Sequence, residues 1–147
     1  MKVKKVMTTH LAYTTPEMQI GKVAELMANN KVGAIPVVDE HENCKIVGII
    51  TDRDITTRVV ALGKDPKDMT VKEVMSSPVV TVKKGDSIKD AARRMEKNKV
   101  RRLPVVNKSG EICGIVSQAD LARKTSKQTV GEVVQSISKP TKKGSSV

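Results

Sequence analysis

Gly114-Ile115-Val116-Ser117-Gln118-Ala119-Asp120 is an apolar run that ends in a hydroxyl and, three residues on, a carboxylate; Gly48-Ile49-Ile50-Thr51-Asp52-Arg53-Asp54 has the same layout. In each stretch the β-branched run reads as a strand, the Ser or Thr as a helix N-cap, and the Asp as an acid in the first helical turn. One copy is an ordinary strand-to-helix junction. Two copies define a repeat.

The surrounding chain is duplicated too. At an offset of 68, Val6-Met7 falls on Val74-Met75, Ile20 on Ile88, Met27 on Met95, Val32 on Val100, and Ile35-Pro36-Val37-Val38 on Leu103-Pro104-Val105-Val106. At an offset of 66, Gly48, Thr51 and Asp54 fall on Gly114, Ser117 and Asp120, so the first copy has a hairpin two residues longer.

Each copy opens with a short helical turn, Val3 to Met7 or Val71 to Met75, the second started by a Thr70/Glu73 capping box. A short strand follows, clearest at Pro78 to Val82. Helices over Gln19 to Asn30 and Ser87 to Lys97 carry Ile20, Val23, Ala24, Met27 and Ile88, Ala91, Ala92, Met95 at helical spacing, a stripe that should be buried. Two strands, Ile35 to Val38 and Lys45 to Ile50, are joined by Asp39 to Asn43, and in the second copy the joint is Asn107 to Gly110. A closing helix starts at Thr51 or Ser117, the first running to Leu62 before Gly63 stops it. The expected domains are residues 1–65 and 66–125, joined by a short polar linker, then a docking turn over 126–137 that echoes Thr70 to Val74, and a disordered basic tail over 138–147.

These residues resemble a tandem pair of CBS domains, also called a Bateman module. The resemblance covers about residues 1 to 125 and rests on Val6-Met7-Thr8 and Val74-Met75-Ser76, on Met27 and Met95, on the Pro-Val-Val strands, and on both Gly-x-x-[Ser/Thr]-x-x-Asp strings. It implies an α+β fold of two β-α-β-β-α repeats, each a three-stranded sheet with two helices, packed about a pseudo-twofold axis with two clefts between them. It also implies a homodimer and clefts that take adenosine compounds: AMP, ADP, ATP or S-adenosylmethionine.

A carboxylate can accept hydrogen bonds from both hydroxyls of a ribose, and a helix N-terminus stabilises its charge. Asp54 and Asp120 suit that role, and the resemblance places the ribose contact at their position; Thr51 and Ser117, one turn earlier on the same face, are expected to cap the helix and also touch the ligand's ribose or phosphate, with plain helix capping and an exposed acid the alternative. The family resemblance puts the lips of an adenine slot at Val32-Gly33-Ala34 and Val100-Arg101-Arg102. Gly33 and Ala34 allow close approach, whereas Arg101 and Arg102 suit phosphate, or are simply solvated cations. The arginines are expected to serve a ligand whose ribose is held from the other half, with Asp54 the preferred partner. Arg53 reads as a surface residue or a further phosphate contact.

Composition narrows the function classes. The chain has 147 residues, with Tyr13 its lone aromatic, so base stacking on aromatic rings is unavailable. Its apolar runs fall far short of the roughly 18 residues of a membrane span. Cys44 and Cys113 make no paired motif, which with the charged N-terminus suggests a cytoplasmic protein with reduced thiols. His10 and His41 are too few for a metal cluster, and no nucleophile elbow or phosphate loop is present, so no enzyme and no required cofactor are expected. The net charge is +11; residues 1–75 hold 11 Lys/Arg against 10 Asp/Glu, and residues 76–147 hold 16 against 6. A solvated surface or an anionic partner accounts for that bias.

The leading expectation is a stand-alone regulatory module that binds an adenosine ligand and signals to an unidentified partner protein. The alternatives are a dimeric scaffold with empty clefts, and nucleic-acid binding through the basic second half; no membrane partner is expected.

Overall fold

The computed structural model describes residues 1–40 and 44–124. His41, the expected docking turn and the expected tail lie outside the described residues.

The first repeat holds α1 (Ile20–Asn30), β1 (Ala34–Asp39), β2 (Lys45–Thr51) and α2 (Asp52–Ile55). After a 3-10 turn at Pro66–Asp68 the second repeat adds α3 (Val71–Val74), β3 (Val82–Lys83), α4 (Ile88–Asn98), β4 (Arg102–Val106), β5 (Ile112–Ser117) and α5 (Gln118–Lys124). The opening turn of the first repeat is a 3-10 turn at Val3–Lys5. The α+β character and the twofold repeat are as the sequence implies.

The chain divides into two compact units. Unit 1 takes Met1–His10, Val80–Lys108 and the chain from Cys113; unit 2 takes Leu11–Val79 and Ser109–Ile112. The opening turn of each repeat thus belongs to the unit built by the other repeat. Backbone bonds explain the exchange: Thr8 N–H donates to Ile115 O (2.8 Å) and Ile115 N–H to Thr8 O (3.0 Å) in unit 1, while Ile49 N–H donates to Ser76 O (3.1 Å) and Ser76 N–H to Ile49 O (2.9 Å) in unit 2. Each turn satisfies the exposed edge of a strand that has no other partner there.

Each unit has its own aliphatic core. Ile20, Val23, Ile35, Val37, Ile50, Val59, Val71 and Val74 are buried together in unit 2; Val3, Val82, Ala91, Met95, Leu103, Val105, Val116 and Leu121 are buried together in unit 1. The expected helix stripes are buried in α4, but in α1 Ala24 is exposed and Leu26 packs against the core instead.

Three expectations need correction. The three-stranded sheet implied for each half exists only in unit 1, in the order β3-β4-β5; in unit 2 the antiparallel pair β1-β2 is extended by a single parallel bridge from Thr14 to Val37. The chain then turns at Thr15 and Pro16, and Pro16 has no N–H for a further rung. The strand read at Pro78 to Val82 is confined to Val82–Lys83, parallel to Val105–Val106, because the Thr81 carbonyl is taken by the Arg94 guanidinium at 3.0 Å. The helix from Thr51 does not run unbroken to Leu62: a π-helical turn occupies Thr56–Val60, with Ala61 N–H donating to Thr56 O, before Gly63 at φ +68° ends the segment.

Candidate functional site

The two strand-to-helix junctions have the same construction. Asp54 N–H donates to Thr51 Oγ1 at 3.1 Å, and Asp54 Oδ2 accepts from Thr51 N–H at 2.9 Å. Asp120 N–H donates to Ser117 Oγ at 3.1 Å, and Asp120 Oδ2 accepts from Ser117 N–H at 2.8 Å. Both are reciprocal capping boxes, so the capping alternative is realised in full. Its other half is not: Asp54 and Asp120 are 8% and 5% exposed, not surface acids.

The second oxygen of each carboxylate faces an arginine that the sequence did not single out. Arg58 Nη1 lies 3.7 Å from Asp54 Oδ1, and Arg123 is hydrogen-bonded to Asp120 Oδ1. The signal available in sequence was spacing, since Arg58 follows Asp54 by four residues and Arg123 follows Asp120 by three, on the same helical face. Each carboxylate therefore has one oxygen fixed by backbone and one facing a half-exposed or exposed arginine, of which Arg58 is also bonded to Val74 O at 2.8 Å.

The slot residues come to the same junctions. Lys31 and Lys99, both at φ 54°, end α1 and α4 in the left-handed conformation. Val32 N–H then closes on Met27 O and Val100 N–H on Met95 O, which delivers Gly33-Ala34 and Arg101-Arg102 to the starts of β1 and β4. Asp52 N–H donates to Gly33 O at 2.9 Å, and Gln118 N–H to Arg101 O at 2.8 Å. Val32 is exposed and Ala34 buried; Val100 packs on the unit 1 core, while Arg101 and Arg102 are exposed. So Thr51 and Asp54 share a junction with Val32 to Ala34, and Ser117 and Asp120 share one with Val100 to Arg102. The expected partnership of Arg101 and Arg102 with Asp54 pairs residues of different units; inside unit 1 the bond from Gln118 N–H to Arg101 O brings their segment to the junction that holds Asp120.

The junctions differ in charge. At Gly33 a Cβ would lie 2.9 Å from Asp52 Oδ2, so the first-repeat slot has a carboxylate against its wall. The matching position in the second repeat is Gln118, whose Nε2 is buried without a hydrogen-bond partner, the one such side-chain atom among the described residues. With the Asp54–Arg58 and Asp120–Arg123 pairs matched, the junctions differ in Asp52 and Arg53 of the first against Arg101, Arg102 and the unused Gln118 amide of the second, which is therefore the more favourable to an anion.

The paired glycines have a packing role. A Cβ on Gly114 would stand 2.7 Å from Thr8 O, and on Gly48 2.7 Å from Met75 Sδ and 3.0 Å from Ser76 O. The first residue of each Gly-x-x-[Ser/Thr]-x-x-Asp string admits an opening turn; the last two polar residues build the junction. Among the described residues there is no cluster of His, Cys, Asp and Glu able to hold a metal, no helix long and apolar enough to cross a membrane, and no disulfide between Cys44 and Cys113.

The CBS-domain profile matches this chain twice, over residues 3–61 and 71–127. The CBS domain-containing protein YhcV of Bacillus subtilis is 39% identical over 137 residues, covering 92% of this chain and 94% of that protein. Among solved structures, the CBS domain pair of protein MJ0100 in complex with 5-methylthioadenosine and S-adenosyl-L-methionine has a TM-score of 0.74 at 28% identity, covering 84% of this chain and 98% of that one. CBSX2 in complex with AMP has a TM-score of 0.69 at 27% identity, covering 83% and 93%.

Proposed function

The chain belongs to the CBS-domain family, and from that premise we propose that it is a regulatory module, not an enzyme, which binds adenosine-containing ligands at its two strand-to-helix junctions. The observation that carries this reading is the pair of buried carboxylates, Asp54 and Asp120, each with one oxygen held by the backbone and the other facing a partly exposed arginine. A ribose diol donating to that oxygen replaces one charge-assisted contact by two hydrogen bonds. Complexes of similar proteins with AMP, with 5-methylthioadenosine and with S-adenosyl-L-methionine support the ligand class.

The charge difference between the junctions supports a division of the ligands between them. AMP, ADP or ATP belongs at Ser117 and Asp120, where Arg101, Arg102 and Gln118 meet the phosphate. S-adenosylmethionine, whose sulfonium is cationic, belongs at Thr51 and Asp54, where Asp52 favours positive charge and Gly33-Ala34 admits the base. The module acts as a homodimer read by a separate regulated protein, a part of the proposal that comes from the family resemblance.

Calorimetric titration of protein stripped of carried-over small molecules tests it. Binding of AMP and of S-adenosylmethionine, lost in the Asp54→Ala/Asp120→Ala double variant, is the expected result. Absence of heat or thermal shift with millimolar AMP, ADP, ATP and S-adenosylmethionine overturns it.

A further inference from the structure

The exchange of opening turns sharpens the charge distribution beyond what the two sequence halves show. Unit 1, counted to Lys124, holds 15 Lys/Arg against 4 Asp/Glu, whereas unit 2 holds 8 against 11. Lys2, Lys4 and Lys5, which belong to the first repeat by sequence, are docked into the basic unit.

They are docked at a defined place. Val3 N–H donates to Asp86 O at 2.9 Å, Lys4 N–H to Lys84 O at 3.1 Å, and Ile88 N–H to Met1 O at 3.0 Å, while Lys2 bridges to Ser87. The Val3–Lys5 turn is thereby fixed alongside the Lys83-Lys84 end of β3. Lys2, Lys4, Lys5, Lys83 and Lys84 are all exposed, and among the described residues none takes part in an ion pair. Asp86, an acid beside them, has Oδ2 accepting from Lys83 N–H at 3.0 Å and offsets one of the five positive charges. Met1, Lys2, Lys4 and Lys5 also line a shallow surface depression.

We propose that these five lysines form a surface of unit 1 that binds the phosphate backbone of duplex nucleic acid. Like charges held together by backbone bonds repel one another, and an anion of high linear charge density relieves that repulsion while releasing its own counterions. Lysine supplies point charges without base readout, so binding is independent of sequence. The lack of aromatic side chains favours duplex over single strands, which need stacking platforms. A lipid surface is disfavoured, because Met1 is the patch's single exposed large apolar side chain. An acidic protein partner is disfavoured because the patch lacks the aromatic and arginine anchors that carry such interfaces.

The test is fluorescence anisotropy of the full chain with a labelled random duplex of about 20 base pairs, titrated between about 50 and 200 mM KCl, across which counterion release makes log K fall linearly with log salt. One variant changes Lys2, Lys4, Lys5, Lys83 and Lys84 to Gln; a control of equal charge changes Lys22, Lys45, Lys64, Lys67 and Lys72 of unit 2 to Gln. The patch variant is expected to bind at least roughly tenfold more weakly, with the slope of log K against log salt reduced by about 4, and the control within about twofold of the parent. Duplex should also protect those five lysines of the unmodified protein from acetylation, read by mass spectrometry, which needs no variant to fold. Equal losses in both variants, absence of duplex binding, no protection of these lysines, or tighter binding to vesicles containing phosphatidylserine than to duplex each overturns the proposal.

Discussion

Arg58 joins two parts of unit 2 that sequence keeps apart: its Nη1 lies 3.7 Å from Asp54 Oδ1 and 2.8 Å from the carbonyl of Val74, at the C-terminal end of α3. The same nitrogen is 3.3 Å from Met75 O. One guanidinium thus caps the exposed carbonyls of the second repeat's opening turn and faces the candidate ribose carboxylate of the first. Arg123 pairs with Asp120 on α5 but is more exposed.

Arg58→Met should lower stability by about 1–2 kcal/mol, the net worth of a charge-assisted bond to a partly buried carbonyl. Arg58→Lys should fall between, since an ammonium keeps the charge but not the planar fork. Arg123→Met should cost under about 1 kcal/mol, as exposed ion pairs do. Urea unfolding midpoints at matched slope report all three, and equal costs for Arg58→Met and Arg123→Met would contradict the capping role.

The glycines give a paired expectation. Gly114→Ala drives a methyl into the Thr8 carbonyl, which is locked in a backbone bridge, and should cost about 1–3 kcal/mol through forced backbone shifts. At Gly48 the nearest atom is the flexible Met75 thioether, so Gly48→Ala should cost less. Met75→Ala combined with Gly48→Ala should show favourable coupling in a double-mutant cycle, while Met7→Ala combined with Gly114→Ala should show little. Large coupling in both cycles would mean that thioether crowding, not the carbonyl, limits Gly114.

How much of this was legible in the sequence follows from the range of the signals. The repeat, the N-caps at Thr51 and Ser117, the Thr70–Glu73 pair and the α4 stripe are local patterns, and the structure contains each of them: the Glu73 carboxylate accepts from Thr70 N–H at 3.2 Å. The exchanged opening turns were not legible, because Thr8 reaches Ile115 through backbone bonds that leave no periodicity in either segment. The π-helical turn was hidden for a related reason: Ile55 and Val59 keep an apolar face whether the ladder closes after four residues or five. Ala24 misled because spacing alone does not distinguish the centre of a buried stripe from its edge, which Leu26 occupies. Arg58 was not singled out because its bond to Val74 O spans 16 residues and leaves no local pattern.

The asymmetry of the two junctions can be inverted by design. Arg101→Ala and Gln118→Glu each remove attraction for phosphate near Asp120, so AMP should weaken by about 1–3 kcal/mol while adenosine changes little. Asp52→Asn removes the acid beside Gly33, and should weaken S-adenosylmethionine more than AMP. Calorimetry with the three ligands reads the pattern. If Arg101→Ala weakened AMP and adenosine alike, the arginine would be shaping the slot and not meeting the phosphate.

The carboxylates themselves carry two roles that substitution can separate. Asp54→Asn and Asp120→Asn retain an oxygen that can accept from Thr51 or Ser117 N–H, so the caps should survive and each variant should lose at most about 1 kcal/mol of stability. What asparagine lacks is the second anionic oxygen, now opposed by Arg58 or Arg123, and with it the charge-assisted acceptor for a ribose diol. Asp120→Asn should therefore weaken AMP about tenfold or more with little change in unfolding midpoint, consistent with the 1.4 kcal/mol that a tenfold change represents. Asp54→Asn should do the same to S-adenosylmethionine. Thr51→Ala and Ser117→Ala remove the side-chain cap and should lower the midpoint, while the carboxylate stays charged and affinity falls less than in the asparagine variants, because at most a hydroxyl contact with the ligand is lost. A stability loss in the asparagine variants as large as in the alanine caps, with affinity unchanged, would reduce both acids to helix starts.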